Sequence, residues 1–392
     1  MSQLLNERWS ETKEALLEGL QGNRRASMNV CLENTRKYLA ESATAGATSA
    51  GNVATLNRVI LPVIRRVMPT VIANEIVGVQ PMTGPVGQIH TLRVRYADSS
   101  DGIVAGDEAL SPFKIASAYS GNGVDANPKA NSTAALEGTP GKRMSIQILK
   151  SPVEAKSRKL SARWTFEAAQ DAQAQQGIDI EAEIMAALAQ EITAEIDQEI
   201  LNSLRGLATV EETYDQSLVS GTATFVGDEH AALAIQINRV SNLIAQRTRR
   251  GAGNWAVVSN QALTILQSAT TSAFARTTEG TFEAPTNTKF VGTLNGAMRI
   301  YVDSYLTDTG RDADQVLIGY KGASEADAAA FYCPYIPLMS SGVVLDPATF
   351  EPVVGFLTRY GYVELSNTAS SLGNAADYLG KVAITAANVS FK

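Results

Sequence analysis

Between Ile180 and Leu204 the apolar residues Ile180, Ile184, Leu188, Ile192, Ile196, Ile200 and Leu204 recur at a strict interval of four. Such spacing fits a helix, and over this span the rod is about 37 Å long at 1.5 Å per residue. Each step of four advances the stripe by about 40° around the axis. A coiled-coil seam alternates three and four to stay facing one partner. This stripe winds instead, as on a spine that crosses a sheet and meets different neighbours along its length. The chain is therefore read as a body laid around one rod, with Ile184, Leu188, Ile192 and Ile196 as its core contacts. Glu191, Glu195, Asp197 and Glu199 lie on the other face, read as solvated or turned toward a neighbouring subunit. Upstream, Thr165 to Gln176 is rich in Ala, Gln and Glu and predicts a lead-in helix closed by Gly177 in a left-handed conformation. Asp179 offers an N-cap oxygen, and Glu181 and Glu183 suit the positive end of the spine.

A chain of 392 residues can bury a substantial core and hold two or three subdomains. Its net charge of -7 argues against a surface that is mostly a nucleic-acid clamp. Cys31 and Cys333 lie far apart without metal or disulfide spacing and read as reduced thiols. No run has the length of a membrane span, and MSQLLNERWSE is no secretory signal. His90 and His230, the two histidines, have no Cys, Asp or Glu at ligand spacing and read as a surface or packed residue each. Nucleophile-elbow, phosphate-loop and zinc-helix motifs are absent. RRGAGNW (249–255) reads as a helix end and turn rather than a phosphate cradle. Paired carboxylates on an acidic helix arise from spacing alone, and nothing adjacent in sequence would shift their pKa. Arg65-Arg66 and Lys142-Arg143 are basic spots read as pairing between subunits, with packaged DNA as the alternative. No feature calls for a metal or cofactor.

Residues 1–41 stand apart. Leu4, Leu5, Trp9, Leu16, Leu17 and Leu20 fall near helical spacing, Gly22-Asn23 breaks that helix, and a second runs from Met28 to Ala40. Six basic and six acidic residues balance here, which fits a partner-binding helix, and SATAGATSAGN (42–52) reads as a flexible linker. An arm helix broken at Pro69 follows, then a strand over Ile89–Tyr96. Asp98 to Gly141 is rich in small and polar residues with weak periodicity, and Met144 to Leu149 alternates again. Together they predict a two-stranded excursion with an irregular tip that needs a neighbouring subunit to order it. Further elements are a helix near Glu229 to Arg250 ending in arginines, a strand at Trp255–Val258 and a helix capped by Asn260. Strands follow over Met298–Tyr305, Val316–Tyr320, Ala330–Ile336, Val353–Leu365 and Val382–Phe391. Tyr332 to Pro337 reads as strand plus turn. Strands and helices mix without a βα repeat, which excludes a doubly wound sheet.

Several of these stretches resemble one family. VEAKSR (153–158), an aromatic, then E-x-AQD, a Gly and a long acidic helix are similar to the major capsid proteins of T-even-type tailed bacteriophages. So are PVIRRVMP (62–69), VGVQPMTGP (77–85), RRGAGNW (249–255), GYKG (319–322), FYCPYIPL (331–338) and EPVVGFLTRYG (351–361), in the same order. The resemblance spans roughly Leu56 to Leu365. It implies an α+β fold of the Hong Kong phage-like capsid type. The parts would be an N-terminal assembly segment (1–41), an N-terminal arm and start of the peripheral domain (42–97) and an extended loop (98–150). A spine-helix peripheral domain (151–250), an axial domain (251–345) and a return to the peripheral domain with a C-terminal strand (346–392) complete it. In that family the N-terminal segment guides assembly on a scaffold and is removed by a prohead protease cutting after Glu in a Leu/Ile-x-Glu pattern. Leu39-Ala40-Glu41 before Ser42 fits it, as does Leu16-Leu17-Glu18, and a retained arm helix is the alternative. The extended loop laps over the next subunit, and 98–150 is too short for the inserted domain of the T-even protein.

The function so implied is structural: hexamers and pentamers of one chain forming an icosahedral head around double-stranded DNA. Scaffold, portal, and vertex or decoration proteins are the implied partners, with no sequence-specific DNA binding and no membrane. Assembly would take place in the bacterial cytoplasm. A vertex paralogue or an encapsulin-type compartment shares that fold, while a hydrolase using the acidic helix and an extracellular adhesin are the readings from other classes.

Overall fold

The computed structural model describes residues 9, 13–14, 16–17, 20–45, 72–100, 103–107, 109, 119–124, 127–138, 141–176, 179–219, 226–248, 250–269, 274–276, 289–303, 305–306, 315–324, 327–349, 351–365 and 374–385. Leu4, Leu5, the arm helix with Arg65-Arg66, most of the linker, Gly177 and the end of the last strand lie outside them.

In chain order the helices are α1 (Gly22–Ala45), α2 (Ala73–Ile76), α3 (Thr133–Leu136), α4 (Phe166–Gln176), α5 (Ile180–Leu207), α6 (Gln216–Val219), α7 (Val226–Thr248) and α8 (Asn260–Ser268). The strands that build the body are β1 (Gly78–Val79), β2 (Val86–Tyr96), β3 (Asn122–Val124), β4 (Asn127–Lys129), β5 (Met144–Glu154), β6 (Lys156–Arg163), β7 (Val210–Tyr214) and β8 (Trp255–Val258). They continue as β9 (Phe274–Arg276), β10 (Lys289–Leu294), β11 (Met298–Val302), β12 (Gln315–Gly319), β13 (Ala330–Ser340), β14 (Val344–Leu345), β15 (Pro352–Glu364) and β16 (Leu379–Ile384).

The spine, α5, starts where its cap sits. Asp179 is extended and its side chain accepts the amides of Glu181 and Ala182, relieving the unpaired N–H groups of the first turn. Leu188, Ile192, Ile196, Ile200 and Leu204 are buried, and Ile184 is half-buried against the same core. The winding stripe has a structural counterpart, because α5 lies along β6 at one stage and reaches β16 at another.

Two sheets meet this rod. A five-stranded sheet runs β1-β13-β15-β14, with β6 paired antiparallel to β15. A seven-stranded sheet runs β7-β16-β12-β8-β11-β10-β9. One face of the larger sheet, with Trp255, Val257, Tyr301, Leu317 and Leu379, joins the core around the spine. The other face, with Ala256, Val258, Ile300, Val316, Ile318 and Val382, packs on α7 and α8. Burial on both faces explains why Trp255-Ala256-Val257-Val258 is continuously apolar rather than alternating. Gly319 is fixed by the same packing, since a Cβ there would stand 2.1 Å from Cζ2 of Trp255.

Several expectations change in detail. Lys156–Arg163, to which the sequence assigned no element, is a strand. The cap of α8 is Ser259, whose side chain accepts the amide of Ala262, and Asn260 is the first helical residue. Tyr332 to Pro337 is all strand: β13 absorbs Pro334 and Pro337 through register shifts at 334/336 and 336/339 instead of turning. Helix α1 begins at Gly22, whose φ of 62° marks the break before it, and runs on to Ala45. Residues 42–45 are therefore helical where a linker was expected. The sheets also divide the chain differently from boundaries at 250/251 and 345/346. β13 and β15 share one sheet, while β7 and β16 belong with β8 and β12.

Candidate assembly interface

The acidic face of the spine lies only partly in water: Glu191 and Glu195 are exposed, Glu199 is half-buried and Asp197 is buried. Arg158 on β6 donates from Nη1 to Glu195 at 2.7 Å, from Nη2 to Glu199 at 2.5 Å and from Nε to the Tyr360 hydroxyl at 2.6 Å. Tyr360 in turn donates to Glu199, and Ser203 to Glu364 on β15. Burial works against the charged form of Glu199, but the hydrogen bonds from Arg158 and Tyr360 outweigh it and hold the carboxyl below its ordinary value. The expectation of a solvated face holds for Glu191 and Glu195, which stay exposed. Glu199 is half-buried, because β6 brings a planar five-donor cation that matches carboxylates in a fixed fork. Arg158 lies in the VEAKSR motif, and its role was hidden because its partners are 37 and 41 residues away.

Asp197 departs further from that expectation: it is 1% exposed. Its Oδ1 accepts the Ile72 amide at 2.9 Å, so the spine caps α2 from the side. Burial pushes the carboxyl up to about 7, against the pull of the Ile72 amide and with a smaller push from the charge of Asp303. The reading that nothing would shift a pKa on this helix holds in sequence and fails in space. About two turns along, Arg205 donates from Nη2 to Oδ2 of Asp303 at 2.6 Å, with both side chains at most 5% exposed. Gln198 Nε2 and the Tyr305 amide complete the Asp303 shell at 2.8 and 3.1 Å. Around the same joint, Glu75 of α2 pairs with Arg24 of α1 and accepts from Arg299 at 2.9 Å and Tyr301 at 3.2 Å. Lys321 Nζ donates to the Asn74 carbonyl at 2.9 Å. Spine, α1, α2 and the seven-stranded sheet are therefore tied at one place by charge-assisted bonds.

The excursion is a long ribbon, β2 paired with β5 in continuous antiparallel register from Val86↔Glu154 to Tyr96↔Met144. Residues directly opposite share a face, so Val94, Tyr96, Met144 and Ile146 lie on one side, with Ile148 following them along β5. On that side Met144 is 54%, Ile146 67% and Ile148 61% exposed. The tip has more order of its own than its composition suggests. Tyr96, Ile103, Ala109 and Tyr119 form a small cluster, with the two tyrosine rings 4.5 Å apart. Within this chain Lys142 and Arg143 make contacts along the ribbon while staying exposed. Arg143 pairs with Asp98 at 3.3 Å, and Lys142 donates to Ser100 at 2.5 Å and lies over the Tyr119 ring.

The remaining candidates are structural. His90 is exposed on β2, and His230 is buried with Nδ1 2.5 Å from the Ser268 hydroxyl. Residues 250–254 of RRGAGNW form the connection into β8, where the Asn254 side chain bridges both backbone groups of Lys321. Burial pushes the Cys31 thiol up to about 12 and the Cys333 thiol up to about 11, so both are inert. Among the described residues no three His, Cys, Asp or Glu side chains converge as a metal site would require. No described helix is long and apolar enough to cross a membrane. Leu16, Leu17, Met28, Cys31 and Leu32 are buried in the spine core, and Asn34 donates to the carbonyls of Met82 and Tyr335. Leu39, Glu41 and Ser42 fall inside α1.

The spine and the two sheets are tied at one joint, and the ribbon presents an apolar face of the kind that marks an interaction surface. Comparison with known proteins identifies the family. The profile of the major capsid protein Gp23 family matches residues 53–139 and 124–384, and the chain belongs to that family. It is 29% identical to the major capsid protein of Vibrio phage KVP40, over 85% of this chain and 81% of that one. Against the major capsid protein of Enterobacteria phage T4 it is 30% identical, over 83% and 78%. The mature capsid of bacteriophage PhiM1 shares 11% identity over 79% of this chain and 85% of that chain, with a TM-score of 0.45, at which shape alone decides nothing. The fold is accordingly the α+β fold of a tailed-phage major capsid protein, and the chain is a structural protein of the virion rather than an enzyme. The relatives give no support to the vertex, compartment, hydrolase or adhesin readings.

Proposed function

We propose that copies of this chain tile as hexamers and pentamers into an icosahedral head that encloses double-stranded DNA without reading its sequence. In this reading the shell is built in the bacterial cytoplasm with scaffold and portal proteins, and vertex or decoration proteins join it. The five-stranded sheet with the spine corresponds to the peripheral domain. The seven-stranded sheet with α7 and α8 corresponds to the axial domain, which then takes in β7, α7 and β16 as well as residues 251–319. The net charge of -7 suits a wall along which packaged DNA slides.

The observation that carries this reading is the ribbon face of Met144, Ile146 and Ile148, three large apolar side chains more than half exposed in the isolated chain. A contiguous apolar strip of this kind marks an interaction surface. Its occupant is the next subunit, over which the ribbon laps. Replacing Ile146 and Ile148 together by Asp should leave the melting of the unassembled subunit within about 0.5 kcal/mol of wild type, as surface changes do. Electron micrographs should then show no shells. Shells at wild-type yield would refute the lap.

For the N-terminus, cleavage after Glu41 would require α1 to unwind around residues 39–42, because proteases take extended chain. The spine-core contacts of Leu16, Leu17, Met28 and Leu32 favour retention until that happens. Intact-mass measurement of protein from DNA-filled particles separates a chain beginning at Met1 from one beginning at Ser42 or Gly19.

A further inference from the structure

The joint between the sheets holds one carboxylate, Asp197, that has no cation partner among the described residues. Asp197 accepts the Ile72 amide through Oδ1, and its Oδ2, equally buried, has no hydrogen-bond partner among the described residues. The groups facing it come from four elements. On α5 itself, Thr193 donates back to the Ala189 carbonyl, and Gln198 and Arg205 are committed to Asp303. From α2 comes the neutral Ile72 amide, while Glu75 on that helix is held by Arg24 and Arg299. From the end of β11 comes Asp303, an anion already served by one cation and two neutral donors. From β13 comes Tyr332, a phenol kept neutral by burial.

An ionised carboxylate in this position is buried next to an anion, with one neutral donor to offset the loss of water. Isolated buried charges of this kind relax by taking up a proton or by letting water in. Here a proton from solvent would settle on Oδ2, the oxygen the structure leaves without a donor. Among the described residues, the cation at this joint that serves Asp303 is Arg205, and it cannot leave Asp303 without stranding it.

We propose that Asp197 is a proton-operated latch at the joint between the two sheets. With its carboxyl neutral, α2 stays seated on the spine through the Ile72 bond. With the carboxyl ionised, the Ile72 bond itself strengthens, but the uncompensated buried charge beside Asp303 outweighs it. The seat therefore weakens, and α2, which carries the Glu75 ties to α1 and to the seven-stranded sheet, is freed to shift. The proposal does not depend on how the subunits tile.

The sign follows from linkage. The native carboxyl holds its proton more tightly than an exposed one, so the stabilisation is complete below the ordinary carboxylate range and is lost as pH rises through about 7. The test is hydrogen exchange by mass spectrometry on the unassembled full-length subunit, followed from pH 5 to pH 9 and corrected for intrinsic exchange. Opening of residues 72–77 should rise by up to about tenfold per pH unit between pH 5 and 7 and level off above that. Asp197→Asn keeps an acceptor for the Ile72 amide and removes the titration, so its profile should be flat. A flat wild-type profile, or the wild-type slope persisting in Asp197→Asn, overturns the latch. Should Asp197→Asn not fold, His230→Gln decides, because imidazole ordinarily changes charge at about pH 6.5 and His230 is the buried one of the two histidines. A slope at residues 72–77 that survives His230→Gln supports the latch, and one that vanishes with it overturns it.

Discussion

Replacing Arg205 by Met tests whether the spine is held to the larger sheet by its buried ion pair. Met fills much of the same volume with no charge, so the perturbation is the loss of the guanidinium rather than a cavity. It leaves Asp303, 0% exposed, with Gln198 Nε2 and the Tyr305 amide as its donors. Removing one member of a buried pair costs roughly 3–5 kcal/mol, because the remaining charge is uncompensated. The weaker bond from Arg205 Nη1 to Asn202 at 3.4 Å adds little. Against a total stability of about 5–15 kcal/mol that is a large fraction, and the unassembled subunit should unfold at a clearly lower urea midpoint at pH 7.5. Asp303→Asn in the same background keeps the acceptor used by Gln198 and Tyr305 and removes the stranded charge. The double variant should therefore recover roughly 2 kcal/mol or more of the loss, which a double-mutant cycle reads directly. A cost below about 1 kcal/mol for Arg205→Met, or a double variant worse than the sum of the singles, would show that the pair does not fasten the joint.

Gly319→Ala places a methyl group against the Trp255 ring, where the ideal Cβ position lies 2.1 Å from Cζ2. Overpacking at such a site costs about 1–3 kcal/mol, and thermal unfolding of the variant should be lower by several degrees; an unchanged midpoint would mean the indole can turn aside. Cys31 and Cys333 should resist alkylation in the native subunit at pH 8, since burial holds their thiols near 12 and 11, and both should react once urea unfolds it. Rapid native labelling of Cys31 would mean that α1 is not docked on β13.

What could be read from the sequence was whatever has a local period. The four-residue stripe of α5, the Asp179 cap, the alternation of β2 and β5 and the apolar run of β8 each declare themselves within one element. The short motifs identified the family because they are local too. What could not be read was pairing across distance. Asp197 looks like any acid on a helix until α2, 125 residues earlier, lays its first amide against it. Asp303 looks like a strand-end acid until Arg205, 98 residues away, comes into contact. β10 was missed although Asn295 and Gly296, both at positive φ, sit where a hairpin signal belongs. The weak alternation of Lys289 to Leu294 and the glycine at 292, where the register shifts, masked it. The ribbon shows the opposite error, since composition suggested a tip with no structure of its own. Two aromatic residues, Tyr96 and Tyr119, are enough to seed a cluster there because the ribbon brings them together. The ribbon has a local core at its tip yet keeps Ile146 and Ile148 uncovered along its length. A small cluster at the tip and an uncovered stem suit the proposed lapping contact, because the apolar face of the stem is left for a partner. Shell formation and stem burial should therefore be lost together, and the fold of the tip should survive both.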